Sequence, residues 1–175
     1  STESWDYAMV FVASKRAARN LALKLQREGI SADAFHGDLK QPERIEVLKK
    51  FKHREIDILI ATDIACRGID INKLSYVVNY DLPRAAMDYI HRIGRTGRAG
   101  RSGTAISFID HETQAHFKLI EKRAGITLER EQVAGFELTG EAAPKEKGKA
   151  PVKGKRKSKK DKLREQAEKD EKSDS

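Results

Sequence analysis

Short apolar runs alternate with helix-period patterns through the first 135 residues, and this alternation leaves few folds open. Strands separated by helical connections cannot pair as hairpins, so they lie parallel in one sheet with helices covering it. The runs are AMVFVA (8–13), ADAFHG (32–37), DILIAT (57–62), YVVNYD (76–81) and TAISFI (104–109), with a sixth expected near ITLEREQV (126–133). Between them, helices are marked by Ala17, Leu21 and Leu25, by Ile45, Leu48 and Phe51, by Tyr89 and Ile93, and by Phe117 and Ile120. Gly29 reads as the stop signal of the first helix. Strands this apolar are buried on both faces, and open sheets of this class collect ligands at the carboxyl ends of their strands. That rule puts Ser14, residues 36–38, residues 62–70 and Pro83 on one rim.

The pattern stops at Gly140. Residues 141–175 carry 13 Lys+Arg and 8 Asp+Glu, +5 of the chain's +8, which leaves 22 basic and 19 acidic residues before them. Such a segment cannot bury enough apolar surface to fold alone. The expected organisation is a folded domain over 1–139 and a disordered Lys-rich tail over 140–175. With 11 basic and 2 acidic residues between Lys145 and Arg164, the tail is expected to attract nucleic acid without sequence preference, and it lacks aromatic residues for base stacking. A single cysteine, Cys66, excludes an internal disulfide and is expected to be buried and inert. No apolar run approaches the roughly 18 residues of a membrane helix, so a cytoplasmic chain without membrane contact is expected. It opens on Ser rather than Met and is read as a piece of a longer protein.

The segment HRIGRTGR (91–98) crowds three arginines and a histidine around two glycines. Guanidinium forks suit phosphate oxygens, but a solvated basic helix end would also be spelled this way. Two tempting matches elsewhere fail on counting. HETQAH (111–116) has one residue too many for a zinc-protease motif, so its histidines fall on different helix faces and no metal site is expected. Gly148 and the Gly154–Lys155 pair are separated by five residues where a P-loop has four, and Arg156 stands where Ser or Thr would hold magnesium. With no phosphate cradle in the sequence, a phosphate site at HRIGRTGR must be shared with another domain.

FVASKR (11–16), HGDLKQPER (36–44), ATDIACRGIDI (61–71), VVNYDLP (77–83) and YIHRIGRTGRAG (89–100), in this order and spacing, resemble motifs IV, IVa, V, Vb and VI of the DEAD-box RNA helicases. The resemblance covers residues 7–133 and implies the second, C-terminal RecA-like lobe of that family, an α/β fold with helices on both faces of a parallel sheet. It implies that Arg95 and Arg98 reach the γ-phosphate of ATP as arginine fingers, with Gly94 and Gly97 allowing the backbone to turn. It further implies that Asp70 accepts from the ribose hydroxyls, and that Arg67 and His91 couple the two lobes. Ser14, Gly37, Gln41, Arg44, Thr62 and the Gly68 backbone are implied as an RNA grip on phosphates. Asp63 is expected to cap a helix, and Arg92 is open between a phosphate contact and a structural ion pair.

The resemblance implies ATP with Mg, held mainly by the N-terminal RecA-like lobe of the same protein, and RNA as substrate. Ribosomal precursors and regulatory proteins are candidate partners. The full protein would hydrolyse ATP and open short RNA duplexes, whereas these 175 residues would be inactive alone. Two alternatives are a non-catalytic RNA-binding or protein-docking module and a DNA helicase of the same superfamily.

Overall fold

The computed structural model describes residues 7–71, 73–97 and 102–140. Arg98 and the Lys-rich tail therefore lie outside the described residues. Five strands and five helices alternate as β1 (Ala8–Phe11), α1 (Lys15–Arg27), β2 (Ala32–Phe35), α2 (Gln41–Lys52), β3 (Ile58–Ala61), α3 (Asp63–Cys66), β4 (Tyr76–Asn79), α4 (Ala86–Ile93), β5 (Thr104–Ser107) and α5 (Gln114–Ala124). All strand pairs are parallel, in the order β2-β3-β1-β4-β5. The chain builds outward from β1 to β2, returns to β3, then crosses β1 to lay β4 and β5 on the far side.

Alternating side chains of each strand feed two cores. Ala8 and Val10 of β1 pack with Ala18 and Ala22 of α1, while Met9 and Phe11 pack with Val47 and Phe51 of α2 and with Ala65 and Cys66 of α3. Helices thus cover both faces, as the apolar runs require. Small residues on α1 let it settle close to the sheet, and the large side chains of Phe11, Phe35, Phe51 and Leu59 fill the other side. Each such side chain contributes about 1.5–3 kcal/mol on leaving water. A third cluster joins α4 to α5, where the Tyr89 and Phe117 rings meet edge-on at 5.6 Å.

Local signals set the helix ends. Ser14 caps α1 by accepting from the Ala17 amide at 3.1 Å, and Gly29 follows the helix with φ of 78°. The Lys40 amide donates to Glu43 Oε2 at 2.7 Å at the start of α2. Ile45 departs from its expected place, being 58% exposed, and Val47 is buried instead.

The expected sixth strand does not form: residues 126–133 are not in the sheet. Gly125 adopts a left-handed conformation that turns the chain back on α5, and the Ile126 amide donates to the Glu121 carbonyl at 3.1 Å. The Glu121 carboxylate then accepts from the Leu128 amide at 3.0 Å and pairs with Arg130 at 2.7 Å. These bonds occupy donors that a sheet ladder would have used. Among the described residues, no helix is long and apolar enough to cross a membrane.

Candidate nucleotide and nucleic-acid site

Parallel register brings the strand ends level: Phe11 is paired with Ala61 and Asn79, Phe35 with Ala61, and Ser107 with Asn79. The residues that follow form one rim, as expected, with Ser14, Gly37, Thr62 and Asp81 arrayed along it. Here the sheet reverses direction, the place where doubly wound folds bind ligands.

Arg92, in the last turn of α4, ties this rim together. Its Nε and Nη2 donate to the two carboxylate oxygens of Asp63, each at 2.7 Å, and Nη1 donates to Asn79 Oδ1 at 3.0 Å and to the Asp81 carbonyl at 2.7 Å. The guanidinium carbon lies 4.8 Å from the centroid of the Phe11 ring. Asn79 donates in turn to Ser107 Oγ at 3.1 Å, which is 3.0 Å from the Tyr89 hydroxyl. Asp63 is therefore not the helix cap expected of it: Thr62 occupies the N-cap position of α3, and Asp63 is the ion-pair partner of Arg92. Of the two readings left open for Arg92, the geometry is that of a structural pair, with the side chain 3% exposed.

Arg95 is held differently. Its Nη1 donates to the carbonyls of Ile69 at 2.8 Å and Ile71 at 3.4 Å. The Thr96 hydroxyl donates to the Leu74 carbonyl, and the Leu74 amide to the Arg95 carbonyl at 3.2 Å. These bonds stitch the arginine-rich turn to Ile69, Ile71 and Leu74. Gly97 has φ of 66°, the left-handed conformation glycine adopts without strain, whereas Gly94 ends α4 at an ordinary φ of −67°. Only Gly97, then, requires glycine's freedom. Arg98 lies outside the described residues.

A cleft of about 290 Å³ opens between α3 and α4, lined by Asp63, Cys66, Arg67, Gly68, Asp88, His91, Arg92 and Arg95 with Phe11 at its base. Arg92 is neutralised by Asp63, which leaves Arg67 and Arg95 as the cations able to meet an anion, with exposed His91 beside them. Gly68 has φ of 74° and presents its backbone there. Cys66 is buried, and burial pushes its thiol up to about 12, so at neutral pH it holds its proton and is a poor nucleophile. Asp70 is exposed two residues beyond Gly68 and does not line the cleft.

Ser14 and Gly37 are exposed at the rim. The Ser14 hydroxyl accepts within its cap and keeps its proton for a further acceptor. Gln41 is exposed at the start of α2, and Arg44, one turn later, donates to the Ala65 carbonyl at 3.2 Å with its guanidinium 4.6 Å from the Phe35 ring centroid. Arg44 is thus partly committed to α3, which joins its motif to that of Thr62. His36, buried at 1% exposure, accepts from Arg19 Nε at 2.9 Å through Nε2.

The neutral ring is required for that bond. Burial first, and the Arg19 charge second, hold His36 below its ordinary value of 6.5. Above 6.5 the ring is neutral folded or unfolded and contributes no pH dependence. As pH falls through 6.5 the unfolded ring takes up a proton that the folded ring resists, so stability falls until the depressed folded value is reached. Urea unfolding at about pH 7.5 and 5.5 is expected to show this loss, reduced in His36→Gln, which keeps an acceptor without a titrating ring. An equal loss in the variant would assign the pH dependence elsewhere.

A family model described as Helicase conserved C-terminal domain matches residues 1–100. The chain is 42% identical over 138 residues to the ATP-dependent RNA helicase DeaD of Escherichia coli, an alignment covering 79% of this chain and 22% of that protein. Among solved structures, E. coli DEAD-box protein SrmB bound to regulator of ribonuclease activity A superposes with a TM-score of 0.74 at 32% identity, covering 81% of this chain and 84% of that one. The chain belongs to the C-terminal domains of the DEAD-box RNA helicases. Dbp5 of S. cerevisiae bound to RNA and ADP BeF3 is similar at 42% identity and a TM-score of 0.66, over 71% of this chain and 34% of that one.

The sheet of this DEAD-box domain is accordingly the RecA-like C-terminal lobe expected from its motifs. It spans about a fifth of the length of the curated relatives it matches. Guanidinium, imidazole and backbone donors meet in the cleft, groups that suit an anion. Among the described residues, no group of three or more His, Cys, Asp or Glu side chains gathers to hold a metal ion. Motif reading missed Asn79, Asp81 and Asp88, and missed the pairing of Arg19 with His36. Asp88 stands three residues before His91 on the amphipathic α4, a spacing that could have placed it on the cleft side.

Proposed function

We propose that this chain is the second lobe of an ATP-dependent RNA helicase, binding the RNA backbone along its rim and supplying arginine fingers to ATP held mainly by the first lobe. The observation that carries this reading is a cleft walled by Arg67, His91 and Arg95 in a chain whose sequence contains no phosphate cradle. Arg95 and Arg98 face the γ-phosphate, Asp70 takes the ribose hydroxyls, and Arg67 and His91 couple the lobes when they close. Bound ATP, with its Mg on the first lobe, supplies the phosphoryl group whose transfer to water resets the lobes.

Ser14, Gly37, Gln41, Arg44, Thr62 and Gly68 grip RNA phosphates, contacts that position a strand without reading its sequence. The closed lobes bend that strand away from duplex geometry, so short duplexes open locally. The basic tail adds sequence-independent attraction. The protein acts in the cytoplasm, with ribosomal precursors as candidate RNA and regulatory proteins as candidate partners. The arginine array speaks against a purely non-catalytic module, which has no use for donors aimed at a transferring group.

The isolated, pure chain is expected to show no ATP turnover above buffer, with or without RNA, in a coupled phosphate-release assay. Turnover by the chain alone would sink the shared-site reading.

A further inference from the structure

On the reading that this rim grips RNA, we propose that Lys15, Arg19 and Asp38 form a further phosphate-binding pocket beside Ser14 and Gly37, in which the Asp38 carboxylate stands where an RNA phosphate will sit. Lys15 and Arg19 are one helical turn apart on α1, directly after its Ser14 cap, and both converge on a single oxygen of Asp38. Lys15 Nζ is 2.7 Å and Arg19 Nη2 3.7 Å from Asp38 Oδ2. Two cations on one anionic oxygen is the arrangement a phosphate oxygen would find there.

The arginine is oriented in advance. Its Nε donates at 2.9 Å to the buried His36 ring, whose other nitrogen has no hydrogen-bond partner among the described residues. The bond to the buried ring fixes the direction of the guanidinium, whose Nη2 lies toward Asp38. Asp38 itself is in the turn after β2, next to Gly37.

The carboxylate is also easy to displace. The side chains of Lys15, Arg19 and Asp38 are 59%, 53% and 43% exposed, and bridges so exposed contribute only about 0–1 kcal/mol. A phosphate brings more acceptor oxygens and, on binding, releases condensed counterions. Asp38 is thus a placeholder that keeps the two cations together without RNA and competes weakly when RNA arrives.

The test is binding of the full 175-residue chain to a fluorescent single-stranded oligouridine, followed by anisotropy across a salt series. Asp38→Asn is expected to tighten binding about threefold or more at low salt, and Arg19→Gln or Lys15→Gln to weaken it by about the same factor, each lowering the salt slope by about 0.7. Glu46→Gln removes an equal charge from a bridge to Lys50 on α2 and is the control for bulk charge. The pocket is overturned if Asp38→Asn binds no tighter than Glu46→Gln, or if both cation variants keep wild-type affinity and slope. In either case, weakened binding by Arg44→Ala would leave the RNA-grip reading standing. Absence of binding by the wild-type chain at every salt concentration would overturn both.

Discussion

Replacing Arg92 with alanine is expected to destabilise the fold by about 3–5 kcal/mol, the loss typical of removing one partner from a buried ion pair. The magnitude follows from what would be stranded. Asp63 would lose both of its short bonds, and the Asn79 side chain and Asp81 carbonyl would each lose a donor. Asp63 is a third exposed, so water recovers part of its solvation and the lower end of that range is the better expectation. Arg92→Lys keeps the charge but cannot span Asp63, Asn79 and Asp81 with one planar fork, and should fall between wild type and alanine. Urea unfolding checks this: the midpoint should fall with the slope unchanged. A loss below about 1 kcal/mol would make the pair no stronger than a surface bridge.

The second large effect is on chemistry and separates the two proposed fingers. In the intact helicase, Arg98→Ala is expected to lower ATP turnover by about 10³–10⁵, the worth of an arginine that neutralises charge on a transferring phosphoryl group. RNA binding should be nearly unchanged, since Arg98 is assigned no part in the RNA grip. Arg95→Ala should lose turnover too, but with a second signature. Its Nη1 holds the Ile69 and Ile71 carbonyls, and losing such a bond costs about 1 kcal/mol. Arg95→Ala should therefore also unfold at lower urea and disturb residues 69–71.

The central strands could be read from sequence because β1 and β3 are buried along their whole length, so ILIA within DILIAT is an unbroken apolar run. The ends were harder. α3 is a single turn, too short for a helical period to register, and ITLEREQV opens with the alternation of a strand at Ile126 and Leu128 but is claimed by Glu121 through bonds that no local pattern announces. The site shows the same division. HRIGRTGR speaks of phosphate through its composition, yet one of its three arginines is spent inside the protein. Asp63, Asn79, Asp81 and Phe11, the groups that hold Arg92, follow or belong to three different strands, and only the sheet order brings them together. His36 and Arg19 meet for the same reason, across a helix–strand contact invisible in spacing.

The central claim is that this lobe completes an ATP site whose phosphate cradle belongs to another domain. Single-turnover hydrolysis by the intact helicase saturated with RNA, wild type beside Arg98→Ala, tests it most directly. The account predicts a rate at least about 10³-fold lower in the variant, with RNA affinity retained. Hydrolysis within about tenfold of wild type, a difference of only about 1.4 kcal/mol in the barrier, would contradict it.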